Sequence, residues 1–139
     1  MPDIYTFGYQ GQKVETLMAE MERVNGIVVD VRYSPYSRNQ QWSKKRLQAT
    51  FTSRYIHIPE LGNVHYKVNK PIKIADMAAG AAQVAAVMDA GFAPILLCVC
   101  KDVRYCHRLV VGRHLVREFG GELVHLPETA VRPKQGRLL

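Results

Sequence analysis

Two features that would simplify classification are absent from this 139-residue sequence: a long uninterrupted apolar segment and an even set of cysteines. The most apolar stretch, residues 77–100, is interrupted by polar residues, glycine and proline, which argues against a membrane span. The three cysteines lie between residues 98 and 106, and their odd count favours reduced thiols over a disulfide framework. No secretory signal pattern is found at the start of the sequence. We therefore expect a cytoplasmic protein without a membrane partner.

Acidic residues are scarce in one long part of the chain. The net charge is +7, and the segment 31–75 contains a single acid, Glu60. Its basic residues are Arg32, Arg38, Lys44, Lys45, Arg46, Arg54, Lys67, Lys70 and Lys73, and its aromatic residues are Tyr33, Tyr36, Trp42, Phe51, Tyr55 and Tyr66. Basic residues attract phosphates, and aromatic rings stack on bases. The partner that we expect is an anionic small molecule or a nucleic acid; the alternative is a solvated basic face with core aromatics.

The hydrophobic pattern alternates between short apolar runs and segments of helical spacing. Strands are predicted over 4–7, 27–32, 55–58, 95–99 and 123–126, and helices over 13–24, 44–52, 74–90 and 104–119. Such alternation predicts an α/β fold: a single-domain, doubly wound, mostly parallel sheet of about five strands with helices on both faces. The domain is predicted to cover residues 1–128, followed by a short basic tail at 129–139. Residues 62–71 lack periodicity and are interpreted as an excursion or active-site loop.

Polar residues follow three of the predicted strands. Asp30-Val31-Arg32 ends the second strand, Pro59-Glu60-Leu61-Gly62 follows the third, and Cys106-His107-Arg108 opens the helix after the fourth. In open α/β sheets, ligands bind beyond the carboxyl ends of parallel strands. The sequence therefore predicts a site at this edge of the sheet.

The motifs Asp30-Val31-Arg32, Ser37-Arg38, Pro59-Glu60-Leu61-Gly62, Leu96-Leu97-Cys98 and Cys106-His107-Arg108 occur in this order along the chain. In this arrangement the sequence resembles the domain-of-unknown-function-488 family. The resemblance implies a small cytoplasmic α/β domain whose biochemical activity is not established. Cys100, Arg104 and the residues after Gly62 depart from the family pattern.

Two groups of side chains are candidates for the site. Asp30 and Glu60 are the candidate catalytic carboxylates, which would orient the substrate or transfer protons; the alternative is that each forms a structural ion pair with a nearby arginine. The substrate-binding candidates are Tyr9, Arg32, Arg38, His107 and Arg108. Because Asp30 and Arg32 are two apart on a strand, they are predicted to point to one face.

The cysteines support several interpretations. Cys106 is predicted at a helix N-terminus, which lowers the pKa of a thiol, whereas Cys98 is predicted in an apolar strand, where burial raises it. Cys98 and Arg104 also fit a Cys-x5-Arg phosphatase or sulfurtransferase loop, although that loop lacks glycine and contains Asp102. A metal-binding interpretation of the three cysteines and His107 is the weaker alternative, because their spacing is unlike that of common zinc sites. We predict no metal and no cofactor.

Three functions remain open from the sequence. The favoured one is binding or processing of a phosphate-bearing substrate, a nucleotide or nucleic acid, in a basic cleft. The alternatives are a non-catalytic nucleic-acid-binding module and a cysteine-dependent phosphatase or sulfurtransferase-like enzyme. Neither G-x-G-x-x-G nor a Walker loop is present.

Overall fold

The structure, a computed structural model, describes residues 2–127. The predicted tail at 129–139 lies outside the described residues. Five strands are formed by Ile4–Gly8 (β1), Gly26–Asp30 (β2), Tyr55–His57 (β3), Ala93–Cys98 (β4) and Leu123–Leu126 (β5). They pair in parallel in the order β3-β2-β4-β1-β5. The predicted parallel α/β sheet is confirmed.

Four helices connect the strands: Val14–Val24 (α1), Lys44–Phe51 (α2), Met77–Asp89 (α3) and His107–Phe119 (α4). Buried side chains of α1 and α2 share a core cluster with Ile95 and Leu97. Those of α3 and α4 share another with Leu96 and Cys98. Since adjacent residues of a strand point to opposite faces, this alternation along β4 places helices on both faces of the sheet.

Side-chain caps set where two of the helices begin. Ser43 accepts a hydrogen bond from the backbone N–H of Arg46, 3.3 Å away, and caps α2, which begins at Lys44 as predicted. The helix predicted from residue 74 begins instead at Met77, because Asp76 accepts from the N–H of Ala79 at 3.1 Å. The capping carboxylate of Asp76, rather than the apolar pattern, determines the residue at which this helix begins.

The helix predicted from residue 104 begins three residues later. Asp102 accepts from the backbone N–H of Arg104 at 3.0 Å, and Val103–Tyr105 forms a single 3₁₀ turn. Cys106 then adopts an extended conformation, with φ −112° and ψ 139°, and is the N-cap of α4. The chain therefore changes direction between β4 and α4, which turns Cys106 back toward the end of β4.

The segment after β3 leaves the sheet and returns. Asn63 and Ile74 form an isolated antiparallel bridge, and the Asn63 side chain accepts hydrogen bonds from the N–H groups of His65 and Lys73, each at 3.0 Å. A loop is thereby closed over the carboxyl edge of the sheet, as the absence of periodicity predicted. None of the helices that the structure describes is long and apolar enough to cross a membrane.

The pairing of β5 with β1 places a titratable group at the sheet edge. His125 Nδ1 and Thr6 Oγ1 are 2.6 Å apart, and burial, followed by the positive charges of Arg108 and Arg113, lowers the pKa of His125. On acidification, His125 is therefore protonated in the unfolded chain, at about pH 6.5, before it is protonated in the fold. The free energy of unfolding consequently decreases as the pH falls through that region.

We expect the free energy of unfolding to fall from about pH 7 to about pH 5, and to fall less steeply in His125→Gln. Chemical denaturation across this pH range measures both slopes. His114→Gln, which removes an imidazole paired with Glu118 on the surface of α4, is the control. An unchanged slope in His125→Gln would show that this histidine does not contribute.

Candidate functional site

A cavity of about 1130 Å³ opens at the carboxyl ends of β1, β2 and β4. Its walls come from these strand ends, from the segment after β2, from the loop 63–72 and from the β4–α4 connection. The lining residues are Tyr9, Arg32, Tyr33, Ser34, Tyr36, Ser37, Arg38, Asn63, Tyr66, Lys67, Ile72, Cys98, Val99, Cys100, Tyr105 and His107. None of these described lining residues is an aspartate or a glutamate. The cavity thus lies where the sequence predicted a site, and its charged lining is cationic.

Arg32 is held rigidly at the base of the cavity. Its Nε donates to Asp30 Oδ1 at 2.8 Å and its Nη2 to Asp30 Oδ2 at 2.6 Å. Nη1 donates to the hydroxyl of Tyr9 at 3.2 Å. These bonds use three of the five N–H groups of the guanidinium. Two N–H groups remain for a ligand.

Asp30 itself is fully buried behind Arg32. Besides the two bonds from the guanidinium, its Oδ1 accepts the backbone N–H of Arg32 at 3.2 Å, and its Oδ2 accepts the hydroxyl of Tyr55 at 2.5 Å. Both carboxylate oxygens are therefore occupied. The predicted strand over 27–32 is shorter in the structure, because β2 ends at Asp30, but Asp30 and Arg32 still contact each other.

Burial and charge act together on the groups around Asp30. Burial lowers the pKa of Arg32, but the hydrogen bonds and negative charge of Asp30 raise it by more, so the guanidinium stays charged. Burial, followed by the charge of Asp30 and the hydrogen bond to it, raises the pKa of Tyr55 well above its usual value. Tyr55 consequently remains a neutral hydrogen-bond donor.

Aromatic packing and a histidine fix the surroundings of Arg32. The ring of Tyr9 stacks on Trp42, with centroids 4.7 Å apart and planes 13° apart, and the Arg32 guanidinium lies 5.3 Å from the Tyr9 ring centroid. His57 Nε2 donates to the carbonyl of Arg32 at 2.7 Å. The base of the cavity is thus preorganised by contacts on several sides.

The outer wall is exposed and combines charge with aromatic rings. Arg38 and Lys67 are exposed cations, and four tyrosines accompany them in the lining: Tyr33, Tyr36, Tyr66 and Tyr105. Tyr33 and Tyr66 contact each other with centroids 6.1 Å apart. Exposed tyrosine rings beside arginine and lysine form a surface on which bases can stack while the cations contact phosphates.

His107 joins the cavity to the cysteines. Its Nε2 lies 2.6 Å from the carbonyl of Val31, and a carbonyl can only accept, so Nε2 carries the hydrogen. The other ring nitrogen, Nδ1, lies 3.7 Å from Cys98 Sγ. The backbone of β2 therefore sets which nitrogen of His107 faces the thiol.

The three thiols share one location. Their sulfur atoms all lie within 4.8 Å of one another. Hydrogen bonds from Cys100 and then Cys98 hold the pKa of Cys106 well below its usual value. The Cys100 thiol lowers the pKa of Cys98, but Cys106 and burial raise it by more, to about 12. This difference agrees with the expectation from the sequence that Cys106 is the more acidic thiol; their reactivity stays a prediction.

Arg108 is buried against the strand edge rather than in the cavity wall. Its Nη1 donates to the carbonyl of Cys100 at 2.6 Å, and it passes close to Gly8. Among the described residues, Arg108 Nε is a buried nitrogen without a hydrogen-bond partner. No carboxylate among residues 2–127 pairs with this guanidinium.

The structure divides the residues that the sequence singled out. Those that line the cavity are Tyr9, Arg32, Arg38, Cys98 and His107; those outside its lining are Asp30, Glu60, Cys106 and Arg108. Glu60 lies in the turn Pro59–Leu61, where its carbonyl accepts the N–H of Asp76 at 2.8 Å. Arg104 is exposed and paired with Asp102 at 2.7 Å, outside the cavity lining. The Cys-x5-Arg cradle is therefore not formed.

Sequence reasoning did not assign a role to some residues of the site. Tyr66 and Lys67 belong to the basic and aromatic segment 31–75. Their position in the loop 62–71, which lacks periodicity, was the only indication that they could line a site. The bond from Tyr55 to Asp30 depends on the register of β3 beside β2, which pairs Val28 with Tyr55. The Val31 carbonyl, which orients His107, has no signal in the sequence because a main-chain acceptor is present at every residue.

Residues 13–70 match the model of a protein family described as Domain of unknown function DUF488. The family resemblance is thereby confirmed over this segment, which contains the motifs at Asp30, Ser37 and Pro59. The motifs at Leu96 and Cys106 lie beyond the matched residues. No curated protein and no solved structure matches the chain.

Proposed function

We propose that the protein binds a phosphate-bearing ligand with an unstacked base, a nucleotide or a single-stranded nucleic acid, in the cavity at the carboxyl edge of the sheet. The observation that carries this proposal is the charge of the lining: Arg32, Arg38 and Lys67 contribute cations, and no carboxylate is among the described lining residues. An anion entering this cavity meets attraction without a competing negative group.

Arg32 and Arg38 have different tasks in this proposal. Arg32 is preorganised by Asp30 and Tyr9, so its two remaining N–H groups contact the phosphate without a further loss of side-chain freedom. Arg38 is exposed and gives a charge-assisted contact from the rim. Asp30 acts as a positioning residue, because its carboxylate oxygens are taken by Arg32 and Tyr55.

The aromatic residues supply recognition of the base. Tyr33 and Tyr66 contact each other beside the cations, and Tyr36 and Tyr105 are each 75% exposed. Exposed rings of this kind contribute roughly 1–3 kcal/mol per stacked base. With a volume of about 1130 Å³, the cavity is slightly larger than the roughly 300–1,000 Å³ of typical small-ligand sites. It is large enough for a nucleotide.

Replacing Arg38 with glutamine is expected to weaken binding of adenosine monophosphate about 10- to 100-fold, because one charge-assisted phosphate contact is lost. Calorimetric titration measures this affinity. Arg46→Gln is the matched control: it removes the same charge from the same basic segment, but Arg46 is exposed on α2 and outside the cavity lining. If both variants lost the same affinity, the effect would come from net charge alone, and this result would contradict binding in the cavity.

Salt dependence and ligand size distinguish the cavity from a general nucleic-acid surface. For a short single-stranded oligonucleotide, we expect the slope of log affinity against log salt to decrease in magnitude by about 0.7 in Arg38→Gln. A different result would support the non-catalytic nucleic-acid-binding alternative. In that case the protein binds the oligonucleotide but not the mononucleotide, and the salt slopes of Arg38→Gln and Arg46→Gln are equal. Inorganic phosphate tests how much of the affinity comes from the phosphate.

A further inference from the structure

The connection between β4 and α4 gathers three cysteines around one point. Cys98 is the last residue of β4, Cys100 lies two residues further, and Cys106 is the N-cap of α4. The turn capped by Asp102 brings the third cysteine back, so that the three sulfur atoms lie within 4.8 Å of one another. All three thiols are free.

A fourth donor of suitable chemistry lies beside Cys98. His107 donates Nε2–H to the Val31 carbonyl at 2.6 Å, which leaves Nδ1 as the ring nitrogen available to a metal, and Nδ1 lies 3.7 Å from Cys98 Sγ. Histidines that bind metals almost always donate their other ring N–H to a carbonyl or carboxylate, which fixes the tautomer and the ring orientation. His107 has this arrangement.

The distances suit a tetrahedral ion. Zn–S bonds of about 2.3 Å and Zn–N bonds of about 2.0–2.1 Å give tetrahedral edges of about 3.8 Å between sulfurs and about 3.6 Å between sulfur and nitrogen. The separation of 3.7 Å between Cys98 Sγ and His107 Nδ1 matches the second edge. The sulfurs, within 4.8 Å of one another, need only a small closure to reach the first.

A buried arginine beside the cluster provides an independent observation. Arg108 is 3% exposed, its Nε has no hydrogen-bond partner, and its Nη1 donates to the carbonyl of Cys100. A buried cation is costly unless a negative charge compensates it. Three thiolates, one divalent ion and a neutral imidazole carry a net charge of −1, which balances this guanidinium.

From these observations we infer that Cys98, Cys100, Cys106 and His107 form a Cys₃His site for a divalent ion of the zinc class. On binding, the protonated thiols release their protons to solvent and the thiolates coordinate the ion. Cys98, Cys100 and His107 also line the cavity, so the ion has an entry path from solvent. This inference takes up the metal alternative that the sequence left open, because Cys106 folds back toward Cys98 and Cys100, which their linear spacing did not show.

The test is metal binding by reduced protein of the full chain. We expect protein refolded with zinc under reducing conditions and then dialysed to retain one ion per chain by elemental analysis. Substitution with Co²⁺ should give the intense near-ultraviolet band of thiolate coordination. In Cys100→Ser and His107→Gln, the affinity should fall by more than the roughly 10- to 100-fold that loss of a hydrogen-bond partner to a ligand costs.

Controls separate the metal site from folding and from the anion site. His114→Gln replaces a partly exposed histidine of the same helix and should leave metal affinity unchanged. Arg38→Gln should also leave it unchanged, because Arg38 is not a proposed ligand. Circular dichroism of Cys100→Ser, in which a half-buried residue is altered, checks that the fold persists.

Two results would overturn this inference. One is the absence of retained zinc and of a thiolate-to-cobalt band in reduced, folded wild-type protein. The other is stoichiometric metal whose affinity is the same in Cys100→Ser and His107→Gln as in wild type, which would place the ion elsewhere. Neither result would bear on nucleotide binding, so the two proposals fail separately.

Discussion

Replacing Asp30 with asparagine is expected to lower the free energy of unfolding by about 3–5 kcal/mol, because it leaves the buried charge of Arg32 without its partner. Arg32 is 5% exposed and Asp30 fully buried, so water cannot take over the lost contact. Chemical denaturation of wild type and variant measures the difference. Nucleotide affinity should fall as well, since Asp30 orients Arg32.

The chain contains a matched control for this experiment. Asp102 and Arg104 repeat the Asp-x-Arg arrangement: Nε to Oδ1 at 3.1 Å, Nη2 to Oδ2 at 2.7 Å, and the backbone N–H to Oδ1 at 3.0 Å. Here both side chains are exposed, at 74% for Arg104 and 42% for Asp102. Exposed ion pairs contribute little to stability. Asp102→Asn should therefore destabilise far less than Asp30→Asn, and equal effects would contradict the role of burial.

Gly8→Ala is expected to destabilise the protein by about 3 kcal/mol or more, beyond the usual cost of overpacking. A Cβ at residue 8 would lie 1.9 Å from the carbonyl oxygen of Cys100 and 2.8 Å from Nη2 of Arg108. This carbonyl is itself held by Arg108 at 2.6 Å, so it cannot move without breaking that bond. Thermal and chemical denaturation measure the loss.

Gly11→Ala is the comparison for Gly8→Ala. An added Cβ at residue 11 would meet no atom within 4 Å, and only its left-handed conformation, with φ +80°, is unfavourable for alanine. That strain costs roughly 1–2 kcal/mol. If Gly8→Ala lowered the free energy of unfolding no more than Gly11→Ala, the β4–α4 connection would have to move aside at little cost. The close approach at Gly8 would then have no structural importance.

The fold was largely predictable because each strand is a short apolar run between turn residues. The predicted β5, over 123–126, has the observed bounds, and β1 differs by one residue. The α1 helix shows the limit of this reasoning. A glycine such as Gly26 is the usual residue after a helix, but here Asn25 takes the left-handed conformation at φ 53°, and Gly26 already pairs with Ala93 in the sheet. Asparagine tolerates this conformation better than most residues.

The position of the candidate site was predictable, but which of its residues line the cavity and which are buried behind it was less so. Asp30 and Arg32 contact each other, although β2 ends at Asp30 and Arg32 follows it, and the ends of parallel strands located the cavity. Burial could not be predicted from the same pattern: Asp30 lies behind Arg32 because Tyr55 from the neighbouring strand covers it. The direction of Arg108 depends on the absence of a side chain at Gly8, a contact between residues a hundred positions apart in the sequence.

The convergence of the cysteines also depended on three-dimensional detail. Along the sequence, Cys98 and Cys100 are on or next to a strand, and Cys106 stands before a helix. Asp102 caps a turn between them, and Cys106 adopts an extended conformation, so the third sulfur returns to the first two. Local rules describe each of these features, but their combined effect on the direction of the chain is not visible in spacing alone.

The central claim is that a phosphate-bearing ligand occupies the cavity at the carboxyl edge. The most direct measurement is a crystal structure of the protein with adenosine monophosphate at a saturating concentration. We expect the phosphate within hydrogen-bond distance of Arg32 and Arg38, and the base against the ring of Tyr33 or Tyr66. Density for the nucleotide elsewhere on the surface, with no ligand at Arg32, would contradict the claim.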